Sequence, residues 1–145
     1  MDYEGFIIRP LCEAYSLLLQ VTVGCSHNKC SFCGAYSQKK FKIKPLERIK
    51  KDLHEVGYYE NEDRVFLCDG EALIIPQPRL EKTLKLINTN LPNIERIGTY
   101  ANAKSILRKN VDKLKFLRAS GLKMIYSVLE EKDLGRIRPE HLRGL

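Results

Sequence analysis

The chain has 145 residues, of which 43% are hydrophobic and 30% charged. This is the balance of a soluble globular domain and excludes a disordered one. No apolar run approaches the ~20 residues of a membrane-spanning helix. The start, Met1-Asp-Tyr-Glu-Gly, is acidic and lacks the apolar segment of a signal peptide, so a cytoplasmic location is expected. The net charge of +7 permits contact with nucleic acid. The basic residues are spread over predicted helix faces (Lys50, Lys51, Lys82, Lys85), with a denser group at Lys39, Lys40, Lys42 and Lys44. They read as a solvated surface in preference to an RNA-binding face.

Residues 1–16 read as a lead-in, with Arg9-Pro10 extended. Leu17–Val23 is mostly apolar and bounded by Gly24, as expected of a strand buried on both faces. Pro45 opens a helix whose stripe is Leu46, Ile49, Leu53 and Val56, stopped by Gly57. Arg64–Cys68 is a second strand, ended by Asp69-Gly70. A helix from about Pro78 carries Leu80, Leu84, Ile87 and Leu91 and stops before Pro92. Glu95–Tyr100 is a third strand, and residues 102–108 add a helical turn. Asn110 caps a short helix bearing Val111, Leu114 and Leu117, with Gly121 behind it. Leu122–Val128 is the fourth strand.

The resulting order is βαβαβαβ, which implies an α/β fold with parallel strands. The spacing suits a βα barrel, but a complete eight-stranded barrel takes ~250 residues. The expectation is one domain over residues 1–145 forming about half of a TIM-type barrel. With two unpaired sheet edges, such a half barrel is expected either to self-associate or to be only marginally stable as a monomer.

Five cysteines are present, and three of them fall in Gly24-Cys25-Ser-His-Asn-Lys-Cys30-Ser-Phe-Cys33, spaced C-x4-C-x2-C. Clustered cysteines in a cytosolic chain point to metal or redox chemistry. Three thiolates can hold three irons of a four-iron cluster and leave the fourth iron open for chemistry. Zinc is the competing metal, but it needs a fourth ligand such as His27, Cys12 or Cys68, and no second ligand pair is close by. His27 reads as a loop hydrogen-bonding residue, and Cys12 and Cys68 as small buried hydrophobes. Active sites of parallel βα folds lie at the carboxyl ends of the strands. The cysteine loop, Asp69-Gly70-Glu71 and Glu130-Glu131 all fall there.

The stretch Gly24–Tyr36 resembles the cluster loop of radical S-adenosylmethionine (SAM) enzymes. It is most similar to the branch of the Elongator catalytic subunit and oxygen-independent coproporphyrinogen oxidase. The common family spacing has x3 between the first two cysteines, where this chain has x4. The resemblance implies a [4Fe–4S] cluster held by Cys25, Cys30 and Cys33, with SAM chelated to the open iron. It implies reductive cleavage of SAM to a 5′-deoxyadenosyl radical, with an electron donor such as ferredoxin or flavodoxin as partner. Phe32 takes the aromatic position that packs adenine. Asp69-Gly70-Glu71 matches the Gly-Gly-Glu segment that binds SAM's amino group, with Asp in place of the first glycine. Glu130 matches the acidic residue that holds the ribose hydroxyls. The family's fifth and sixth strands have no counterpart after Glu131, so a truncated product, a fragment or half of an oligomer is expected. Two alternatives stay open: a non-catalytic cluster- or zinc-binding module, and an RNA-modifying radical enzyme.

Overall fold

The computed structural model describes residues 3, 10–24, 41–56, 63–69 and 72–127. The lead-in holds a 3-10 turn at Leu11–Glu13, which the sequence pattern does not announce. The main strands are β1 (Leu17–Gln20), β4 (Arg64–Cys68), β5 (Arg96–Tyr100) and β6 (Leu122–Tyr126), and they form one sheet in that order. Every neighbouring pair is parallel, with Gln20 opposite Cys68, Phe66 opposite Gly98, and Tyr100 opposite Tyr126. Helices fill the crossovers: α1 (Leu46–Val56), α2 (Gln77–Asn90), α3 (Ala103–Leu107) and α4 (Val111–Ala119). This is the expected α/β architecture, a partial parallel βα barrel.

The expected single strand over Leu17–Val23 is instead two. Its second part, β2 (Thr22–Val23), leaves the sheet at Val21 and pairs antiparallel with β3 (Lys42–Ile43). Lys44 N–H donates to the Val21 carbonyl at 2.9 Å, which extends that pairing. Backbone donors left over at the end of a parallel strand need partners, and here a second short strand supplies them.

Strand alternation sorts the side chains onto two faces. One face presents Leu19, Val65, Leu67 and Ile97 to helix residues Ile49, Leu53, Leu80, Leu84, Ile87 and Leu117, and this is the core. The stripe expected for α1 is therefore the packed one, with Ile49, Leu53 and Val56 buried. In α4 the stripe is narrower than expected: Leu117 is buried, but Val111 is 65% exposed at the helix start. Asn110 caps α4 as its side chain accepts from Lys113 N–H at 2.8 Å, and Asn102 caps α3 through Ser105 N–H at 2.9 Å.

The opposite face of the sheet is aromatic and polar. Phe66, Tyr100 and Tyr126 meet edge to face, with centroids 5.2 to 6.2 Å apart. Below them Glu13, buried by the 3-10 turn, accepts from Arg96 Nη2 at 2.8 Å and from the Tyr126 hydroxyl at 2.7 Å. The Ser16 hydroxyl also donates to Glu13. The lead-in thus covers part of the inner face with a satisfied buried carboxylate.

Candidate functional site at the carboxyl ends of the strands

The parallel sheet brings Gln20, Cys68 and Tyr100 to one end, followed by the turns that leave each strand. Asp69 follows β4 directly. It is fully buried and has φ 70°, in the left-handed region that glycine adopts freely and Asp more readily than most residues. Its Oδ2 accepts from Gln20 Nε2 at 3.0 Å and from Gly24 N–H at 2.8 Å. Gly24 itself has φ 74° and immediately precedes Cys25. Of Asp69-Gly70-Glu71, Asp69 is the residue among those described, and it takes a glycine-like backbone conformation at the end of β4.

Cys25, Cys30, Cys33, Phe32, Gly70, Glu71 and Glu130 lie outside the described residues. Gly24 and Asp69, which precede the cysteine segment and Gly70-Glu71 in the sequence, are hydrogen-bonded to each other. Among the described residues no group of three or more His, Cys, Asp and Glu side chains can hold a metal. In the sequence three thiols follow Gly24, and thiolates are the soft donors that iron–sulfur clusters use. The Thr22 hydroxyl, fully buried three residues before Cys25, has no hydrogen-bond partner among the described residues.

Cys68 is fully buried, as expected of a packed thiol. Cys12 is not: it is exposed, and its thiol donates to the Tyr126 hydroxyl at 3.1 Å. The 3-10 turn holds it at the rim of the inner face. Burial, followed by the hydrogen bonds to Cys12 and Glu13, pushes the Tyr126 hydroxyl above its ordinary range. On the outer layer, burial and then the neighbouring Lys113 lower the Lys109 ammonium, against an opposing pull from Glu81.

The basic group at residues 39–44 also needs correction. Lys42 is exposed, but Lys44 is 1% exposed and pairs with buried Asp52. It belongs to the interior and cannot face a nucleic acid. Gln20, which holds Asp69, is a site residue that strand periodicity alone does not reveal. The available signal for Gln20 was a polar side chain inside the apolar run Leu17–Val23.

No helix among the described residues is long and apolar enough to cross a membrane. No curated protein matches the chain. The family model described as "Radical SAM superfamily" matches residues 19–130, from the last two residues of β1 through the cysteine segment to just beyond β6. With a parallel βα sheet, three cysteines after its first strand and a match over most of its length, the chain belongs to the radical SAM superfamily, whose shared function is cleavage of SAM with an iron–sulfur cluster and a reductant.

Proposed function

We propose that residues 1–145 form a single radical SAM core in which Cys25, Cys30 and Cys33 hold a [4Fe–4S] cluster with one open iron. The observation that supports this reading is the hydrogen bond from Gly24, the residue before Cys25 in the sequence, to Asp69 at the carboxyl end of β4. When bound, the reduced cluster supplies the electron that breaks the sulfonium C–S bond of SAM and starts radical chemistry on a substrate.

The chain's own residues then bind and orient. Phe32, between the last two cysteines, packs against adenine and shields the cluster from water. Gly70 and Glu71 offer backbone carbonyls to the amino group of SAM. Glu130, after β6, accepts from the ribose hydroxyls, since a carboxylate suits two O–H donors. The aromatic inner face of Phe66, Tyr100 and Tyr126 lies on the same side of the sheet as Gln20 and Cys68 and forms part of the wall behind the site. An RNA substrate is the weaker reading, because Lys44 is withdrawn from the densest basic group.

The test is EPR of the anaerobically reconstituted, dithionite-reduced protein with and without SAM. Direct ligation of the open iron by the amino and carboxylate groups of SAM changes the cluster signal. A spectrum unaltered at saturating SAM rejects the reading and leaves a structural or electron-transfer cluster.

A further inference from the structure

We infer that Asp69 is a positioning residue for the cysteine segment: its buried carboxylate fixes the backbone of Gly24, and so the point from which Cys25 departs. The inference rests on the cluster reading above and adds a role that SAM contact does not require. Asp69 retains a side chain at φ 70°, where glycine would be relaxed. That side chain is fully buried, and a single oxygen, Oδ2, accepts from both Gly24 N–H and Gln20 Nε2.

The sheet does not depend on this contact. β1 and β4 are already joined along Leu17–Gln20 and Val65–Cys68 by their own parallel pairing. What the carboxylate adds lies beyond the last paired residues, at Gly24. Hydrogen bonds from N–H groups to a carboxylate are stronger than those between neutral groups. They hold an amide whose neighbour in the chain is Cys25. Gln20 completes the clamp from the last position of β1. Partners of this kind, one step behind the ligands, orient them and tune how tightly the metal is held.

The test compares Asp69→Gly, which keeps the backbone conformation and removes the acceptor, with Asp69→Asn, which keeps one acceptor oxygen. Both are read in the full chain by amide hydrogen exchange at Gly24 in the apo-protein. They are also read by the rate of iron loss to a chelator after reconstitution. We expect Asp69→Gly to leave the far-UV circular dichroism unchanged, to speed Gly24 exchange, and to weaken iron retention about tenfold or more. Asp69→Asn should restore much of both. Should Asp69→Gly fail to fold, Gln20→Met, which removes the other half of the clamp, takes its place with the same readouts. Parent-like Gly24 exchange together with parent-like iron retention in Asp69→Gly overturns the inference. A parent protein that takes up no iron and sulfide overturns the functional reading instead, and Gly24 exchange then decides the positioning role alone.

Discussion

Lys44 Nζ lies 2.5 Å from Asp52 Oδ2, and both side chains are almost wholly removed from solvent. The pair joins the end of the β2–β3 hairpin to α1, and Arg79 from α2 donates to the Lys44 carbonyl at 2.8 Å. Taking two charges out of water is costly, and the pair offsets that cost only while both partners are present. We expect Lys44→Met alone to destabilise the protein by about 3–5 kcal/mol, because buried Asp52 loses the opposite charge of Lys44. Lys44→Met with Asp52→Leu should recover most of that loss. Urea unfolding of the three proteins checks it, and a single variant no less stable than the double one would contradict the argument.

The cysteines should separate by role. Reconstituted parent protein should contain about four irons and four sulfides per chain, as a [4Fe–4S] centre requires. Cys30→Ala should lose most of this iron, since two thiolates anchor the cluster poorly. Cys68→Ala should keep it and cost only about 1 kcal/mol of stability as a small core truncation. Stoichiometric zinc without sulfide in the parent would reject the cluster. Iron lost from Cys68→Ala would make that buried thiol a ligand.

Tyr126 gives a pH dependence. Burial and its partners Cys12 and Glu13 favour the neutral phenol in the folded state, so the folded pKa lies above the unfolded value of about 10. The associated stability is fully present below that unfolded value. It is lost as pH rises from there through the folded value, because the unfolded chain gives up its proton first. Above about pH 10 the parent should therefore lose stability more steeply than Tyr126→Phe, which has no proton to release. Parallel urea-midpoint curves for the two proteins would remove this linkage.

Gly98 tests how closely the lead-in sits on the inner face. A Cβ at this position would meet Glu13 Oε1 and Phe66 Cδ2 at 3.4 Å and Met124 Cβ at 3.6 Å. These are ordinary contact distances, so Gly98→Ala should change stability little. Gly98→Leu has no such room and should cost about 1–3 kcal/mol by forcing Glu13 from Arg96 and Tyr126. Thermal unfolding distinguishes them. An undisturbed Gly98→Leu would mean that the 3-10 turn leaves the sheet without cost.

The sequence by itself determined the order of the elements. Apolar stripes, Pro45, Asn110 and Gly121 act over a few residues, and α1, α2, α4, β4 and β5 lie where those signals put them. It also carries the candidate soft donors, because C-x4-C-x2-C after an apolar run is a local pattern. Tertiary structure decided what depends on partners far along the chain. Val21–Val23 turns off the sheet because β3, some twenty residues later, is there to pair with it. Lys44 looks like one more surface lysine until α1 brings Asp52 to it, and Cys12 looks like a core thiol until the lead-in turns it outward. Glu13 meets Tyr126 across 113 residues, and Asp69 meets Gln20 across 49. Side-chain periodicity reports which face a residue takes on its own element. Whether a charge on that face finds water or a buried counterpart is settled only when the strands are laid side by side.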